Sequence, residues 1–185
     1  MAAERLTPEV REELMRAALA EAERGMAEGE APIGCVLARA ADDGTVRIVA
    51  RGHNRVNGLQ RKIAHAEIVA FDNASGNGDA PPALPLDADD VILVSTLEPC
   101  VMCLGAAMEA GVRTVLFGLE APADNGTRRV KPPESPESSA PEIHGGILAA
   151  ESRRLFETWL RGKEDTDQAA FVKQLLALTS DGGHP

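Results

Sequence analysis

The spacing of apolar residues divides the chain into helical and extended segments. Between residues 8 and about 27, Val10, Leu14, Ala17 or Ala18, and Ala22 recur at helical intervals with charges between them, which predicts an amphipathic helix covering a sheet. Thr7-Pro8 supplies an N-cap and a first-turn proline, Glu9 suits the positive helix end, and Gly29-Glu30-Ala31-Pro32 stops the helix. Residues 33–38 and 46–50 are short apolar runs joined by Asp42-Asp43-Gly44-Thr45, a tight-turn composition, and predict a β-hairpin. Residues 52–58 have loop composition and lead into a helix opening near His65, with Ile68, Val69 and Phe71 on its apolar face. Residues 73–79 end that helix, and Pro81, Pro82 and Pro85 mark a surface connection. Val91-Ile92-Leu93-Val94 and residues 114–117 read as strands covered on both faces, separated by a helix over about residues 100–110 that Gly111 closes. Two strand-helix steps in series predict an α/β fold, a mixed sheet in a three-layer α/β/α sandwich.

The pattern changes at residues 120–142, where Pro122, Pro132, Pro133, Pro136 and Pro141 stand among Ser and Glu. Such a stretch supplies little core and reads as a mobile surface loop, with a flap near an active site as the functional alternative. Regular structure resumes at Gly145-Gly146-Ile147-Leu148, followed by a helix to about Leu160 carrying Leu155, Phe156 and Trp159. Residues 162–167 form a charged linker. Phe171, Leu175 and Leu178, flanked by Val172 and Leu176, predict a last amphipathic helix packed on its own domain, before a frayed tail at 180–185. The expected organisation is one domain over 1–161, with the Pro-rich insertion at 120–142, then linker, helix and tail over 162–185. There are no internal repeats.

Composition narrows the class. A chain of 185 residues with 44% hydrophobic and 26% charged residues fits one domain with a real core. No apolar run approaches the roughly 20 residues of a spanning helix, and the start lacks a signal-peptide core, so a soluble cytoplasmic protein with no membrane contact is expected. Of three cysteines, two form a C-x-x-C, which suits a reducing compartment; Cys35 lies within a predicted strand as a small hydrophobe. The net charge of −10 argues against a broad nucleic-acid surface. Basic residues nevertheless gather at Arg51, Arg55, Arg61 and Lys62 and again at Arg128, Arg129 and Lys131, where solvated surface charge is the simplest reading.

Two short motifs carry the candidate chemistry: His65-Ala66-Glu67 and Pro99-Cys100-Val101-Met102-Cys103. Together they match a zinc deaminase signature, His-x-Glu followed after a gap by Pro-Cys-x-x-Cys. His65, Cys100 and Cys103 supply three ligands of a tetrahedral Zn²⁺ and leave the fourth position for a reactive water. Positions two apart on a helix diverge by about 200°, so His65 and Glu67 share a site only if His65 opens the helix. Cys100 and Cys103, three apart, lie on one face of the next helix's first turn. Two helix N-termini then converge on the metal and favour thiolates and anions. Two thiolates neutralise Zn²⁺, so its water needs a nearby base. Glu67 fills that role as proton shuttle, and the Ala66 amide is placed to help hold a substrate. A redox dithiol or a purely structural zinc is the competing reading of a bare C-x-x-C.

With these motifs the chain resembles the cytidine deaminase superfamily, more closely the branch holding bacterial tRNA adenosine deaminases, guanine deaminases and nucleoside deaminases. The resemblance spans about residues 14–160. It rests on Gly29-Glu30-Ala31-Pro32-Ile33-Gly34, His53-Asn54-Arg55, His65-Ala66-Glu67-Ile68, Thr96-Leu97-Glu98-Pro99-Cys100-Val101-Met102-Cys103 and Val115-Leu116-Phe117-Gly118. It implies a five-stranded sheet with its last strand near Glu142-Ile143-His144, one Zn²⁺ per subunit, commonly a homodimer, and Asn54 as a substrate hydrogen-bonding residue. Arg61-Lys62-Ile63-Ala64 replaces the Asp-Pro-Thr that often precedes His-Ala-Glu in the family. Aromatic residues are 3% of the chain and tyrosine is absent, so stacking platforms for a splayed RNA loop are scarce. The expected reaction is hydrolytic deamination of a free purine nucleobase or nucleoside. The wobble adenosine of tRNA is the alternative, and a catalytically silent zinc-binding partner subunit the remote one. Glu67→Ala is expected to abolish turnover while zinc stays bound, which ammonia release and metal analysis measure together; retained activity refutes the assignment of Glu67.

Overall fold

Val91–Leu97 and Val112–Leu119 are apolar and β-branched along almost their whole length, and as β3 and β4 they take the interior of the sheet, parallel to each other. The structure, a computed structural model, describes residues 6–179 apart from 42–44, 76–81, 86–87, 89, 135–138, 162 and 164–166. The turn at Asp42-Asp43-Gly44, Pro81, most of the linker at 162–167 and the tail at 180–185 therefore lie outside the described residues. In chain order the elements are α1 (Pro8–Ala27), β1 (Gly34–Ala40), β2 (Val46–His53), α2 (Ala66–Ala74), β3, α3 (Val101–Glu109), β4, β5 (Glu142–His144), α4 (Ala149–Leu160) and α5 (Asp167–Leu178). One mixed sheet runs β2-β1-β3-β4-β5. β1 pairs antiparallel with both β2 and β3, while β5 runs parallel to β4, so the five-stranded mixed sheet is as expected.

The alternation of side chains along the strands divides the core between two faces. Cys35, Leu37, Val91, Leu93 and Val115 point toward Ala66, Ala70, Leu104 and Met108 of α2 and α3. Val36, Ala38, Ile92, Val94 and Leu116 point the other way, toward Leu14, Met15, Ala18 and Leu19 of α1. A third cluster at the ends of β3 and β4 joins Leu97, Leu119 and Ala121 to Phe156 and Trp159 of α4 and Val172 and Leu175 of α5. The layering is α/β/α. Thr7 Oγ1 accepts the Val10 N–H at 3.4 Å, the N-cap its sequence predicts.

Two strand glycines set how closely the helices approach. A Cβ at Gly52 would lie 2.5 Å from the Ala66 carbonyl oxygen and 2.5 Å from the Ala70 nitrogen, and one at Gly34 would lie 2.1 Å from the Ala18 carbonyl oxygen. Backbone therefore packs on backbone, with α1 seated on β1 and α2 on β2. All of this positions one end of the sheet. There β1 begins, β2 and β3 finish, and the first turns of α2 and α3 open. Gly52→Ala is expected to displace α2, costing about 1–3 kcal/mol as overpacked substitutions do and lowering the melting temperature by several degrees. Because α2 starts at the His65 cap, zinc occupancy in the purified variant should fall with it; full occupancy at unchanged melting temperature refutes this.

Candidate active site

His65 is the N-cap of α2 and Cys100 the N-cap of α3, each with extended backbone, and Cys103 sits one turn into α3. Neither cap side chain bonds its own helix, which frees both for each other. His65 Nδ1 lies 3.7 Å from Cys100 Sγ and 3.6 Å from Cys103 Sγ, and the three ligand atoms fall within 4.8 Å of one another. A tetrahedral zinc with bonds of about 2.3 Å to sulfur and about 2.0 Å to nitrogen separates its N and S ligands by about 3.6 Å. The observed spacing and the one-nitrogen, two-sulfur donor set fit zinc.

Two of these ligands face a cavity of about 380 Å³, large enough for a nucleobase. Glu67 and Asn54 line the same cavity, so the expected acid/base and the expected substrate-binding residue stand beside the ligands. Glu67 is 4% exposed, and Ser95 Oγ donates to its Oε1 at 3.0 Å. Burial, the largest effect, raises the Glu67 carboxyl above its ordinary value. Ala66 behaves differently: it is fully buried as the first residue of α2, and its side chain is no part of the cavity wall. Only its amide, in the first turn of the helix, points toward the site's end of the sheet.

The two thiols share one proton. A hydrogen bond from Cys103, opposed by burial and helped by a second from His65, holds the Cys100 thiol down to about 4. The same bond seen from its donor, together with burial, pushes the Cys103 thiol well up. The hydrogen bond to Cys100 also raises His65 above its ordinary value, against the effect of burial. Cys35, fully buried in β1, is pushed well above the usual thiol range, first by burial and then by the charge of Glu67; it behaves as core.

Several residues of the site were not singled out from the sequence. Glu98, Asp124, Gln168 and Phe171 all line the cavity, as does Lys62, which the sequence already marks in a basic cluster and at the departure from Asp-Pro-Thr. Glu98 precedes Pro99-Cys100, an adjacency that could have marked it. Its buried carboxylate accepts the Ala121 N–H at 2.9 Å and the Thr127 hydroxyl, while the Gly126 N–H donates to the Pro99 carbonyl at 2.7 Å. These bonds fix residues 121–127 against the ligand-bearing turn, and Ala121 is 2% exposed. The start of the Pro-rich stretch is thus built into core and site, and its Asp124 faces the cavity. Gln168 and Phe171 come from α5, where helical spacing shows packing and carries no local sign of a site.

Comparison with known proteins follows this geometry. Residues 8–119 match the profile of the cytidine and deoxycytidylate deaminase zinc-binding region. The chain belongs to this deaminase family. Its class is hydrolytic deamination, and its metal is zinc. A tRNA-specific adenosine deaminase of Streptococcus pyogenes serotype M3 is 31% identical over 169 residues, covering 90% of this chain and 92% of that one. A chain solved in studies of A-to-I editing by tRNA:A34 deaminases at the wobble position of transfer RNA superimposes with TM-score 0.61 at 29% identity, covering 77% of this chain and 98% of that one. Guanine deaminase from Nitrosomonas europaea shares the fold, with TM-score 0.58 at 24% identity over 80% of this chain and 83% of its own. Among the described residues no helix of the family member is long and apolar enough to cross a membrane.

Zinc uptake by this site must displace protons. The metal-free thiol pair holds one proton and His65, raised above 6.5, holds another below its pKa. The metal-free form binds the extra protons, so zinc affinity rises with pH. The expected slope is about one decade per pH unit above the His65 pKa and about two below it. Competition against a chromophoric chelator between pH 6 and 9 measures the slope, and a flat profile refutes the shared-proton description.

Proposed function

We propose that the protein converts adenosine at the wobble position of tRNA to inosine, with zinc as cofactor. The observation that carries this reading is the extent of its match to a tRNA-specific adenosine deaminase, which takes in nearly the whole of both chains. The net charge of −10 weighs against it, but the first basic cluster sends a residue to the cavity and the second acts on a cavity residue. Lys62 lines the cavity itself, and Arg129 is near enough to Asp124 to favour its ionised form, against the larger raising effect of burial. Arg61 is engaged by Asp72 at 3.0 Å. The free purine base or nucleoside expected from the sequence is the second reading. Its relative with guanine deaminase in the name supports the fold alone.

His65, Cys100 and Cys103 hold the metal in this reading. Bound there, zinc supplies Lewis acidity that makes water a nucleophile near neutral pH. Glu67 would take one proton from the attacking water and give it to the ring nitrogen beside the amine-bearing carbon. As the water oxygen bonds to the carbon, Glu67 would take the second proton from that hydroxyl and deliver it to the amine, so that the carbon–nitrogen bond breaks, ammonia leaves and a carbonyl remains. Ser95 keeps the carboxyl oriented through each transfer. Asn54 is held by its backbone N–H on the Ile33 carbonyl at 2.9 Å, which aims its amide at the base. Burial raises the Glu67 pKa, which favours a carboxyl that both takes up and gives back a proton. A homodimer in the cytoplasm accompanies this reading, and sedimentation tests the dimer.

Incubation with an anticodon stem-loop carrying adenosine at the wobble position, in parallel with free adenine, adenosine and guanine, is the discriminating experiment. Inosine in the stem-loop with little ammonia from the free compounds is expected. Ammonia from free guanine or adenosine with an unmodified stem-loop overturns the proposal in favour of the second reading.

A further inference from the structure

The geometry points to α5 as a wall of the substrate cavity and to Phe171 as the surface on which the target base stacks. Phe171 and Gln168 line the same cavity as His65, Glu67 and Cys100. They stand three apart and so share one helix face, while Ala169, Val172 and Leu175 are buried. The inner side of α5 is thus seated on Phe156, Trp159 and Leu97. Its far end is held as well, by Arg153, which donates to Thr179 Oγ1 at 2.7 Å and to the Leu176 carbonyl at 3.2 Å. At the cavity end Asn57 Nδ2 donates to Gln168 Oε1 at 3.2 Å. Asn57 is itself placed by Glu30, whose buried carboxylate accepts the Asn57 and Gly58 N–H groups at 3.2 and 2.7 Å. A continuous line of hydrogen bonds therefore runs from the core through the loop that follows Asn54 to the wall.

The ring is what the cavity otherwise lacks. The chain has four Phe, one Trp and no Tyr. Phe117, Phe156 and Trp159 are buried in the core, and Phe71 packs against the cluster between α2, α3 and the sheet. Among the described residues, with the His65 ring taken up as a metal ligand, Phe171 is the one Phe, Tyr or Trp side chain on the cavity. Ile33, Val56 and Leu97 give it apolar walls without a π face. A purine is flat on both sides, and stacking on an aromatic ring gains affinity without reading its hydrogen-bonding edge. Phe171 then holds the base while Asn54 and Glu67 address its edge and its reacting carbon. The scarcity of aromatics does not count against a nucleic-acid substrate if the single ring needed is at the site. α5 lies beyond residues 8–119, the span matched by the family profile.

This inference rests on the proposed function for its substrate, and the test separates the two. Phe171→Leu keeps apolar bulk and removes the ring, whereas Phe171→Tyr keeps the ring; Phe171→Ala is the more drastic variant. Each is assayed on the stem-loop for kcat/KM and for binding by fluorescence anisotropy, with zinc content and melting temperature as controls. Phe171→Leu should lose about 5- to 150-fold in kcat/KM and a similar factor in affinity, as expected for one stacked base, with zinc content unchanged. Phe171→Tyr should stay near the original. If Phe171→Leu is unimpaired, or Phe171→Tyr is as weak as Phe171→Leu, stacking is refuted. If the unaltered enzyme turns over a free purine and not the stem-loop, the proposed function fails, and the same series on that purine decides the wall. Neither binding nor turnover of any base by the unaltered enzyme overturns both.

Discussion

Everything at the reactive end of this molecule depends on two helices beginning at the same point in space. His65 and Cys100, each with extended backbone, cap these helices. Their exposed N–H groups and the positive ends of both dipoles make the region between them favourable for a thiolate, which is where the Cys100 sulfur sits. In the metal-free protein the same attraction is met by a shared proton. Zinc satisfies it with a full charge, so metal binding and local electrostatics draw the same atoms together.

Buried carboxylates build the rest of the site around this point. An unpaired carboxylate in a protein interior is costly, and each one here is hydrogen-bonded. Glu30 holds the loop that follows Asn54, and Glu98 holds the turn that carries Asp124. Both use backbone N–H donors, which cannot swing away as a side-chain partner can. Glu98 also accepts the Thr127 hydroxyl, and Glu67 accepts the hydroxyl of Ser95. Burial, the largest effect, raises the pKa of the Glu67 carboxyl against the hydrogen bonds that lower it. The same residue type therefore ties down loops in two places and stands beside the metal ligands in the third.

Most of this was legible before the structure, for identifiable reasons. The helix from Pro8 and the strands around Val91 and Val115 follow from periodicity, because their burial is one-sided in the first case and two-sided in the others. The meeting of His65, Cys100 and Cys103 follows from their spacing, since only helix starts bring those residues together. β5 did not follow from periodicity: Glu142–His144 is three residues long, without a buried residue, and only the family resemblance suggested it. Gln168 and Phe171 were out of reach for a different reason. Their side chains meet the site across about 60 residues of chain, and nothing within α5 distinguishes a helix face that lines a cavity from one that faces water.

The glycine seats of α1 and α2 have a consequence for which changes the protein can absorb. Contacts between side chains in a core are compliant: a methyl lost on one side can be filled by a rotamer shift on the other. Contact between the Gly52 backbone and the Ala66 and Ala70 backbone has no such slack, because no rotamer exists to adjust. The reactive centre is thus referenced to hard backbone contact, and the apolar residues around it are free to be exchanged for others of similar volume. Two mutational tolerances coexist in one layer of the sandwich. The core can drift in composition while the distance from sheet to metal ligand stays constant, which lets an unaltered reaction be carried by a widely altered interior.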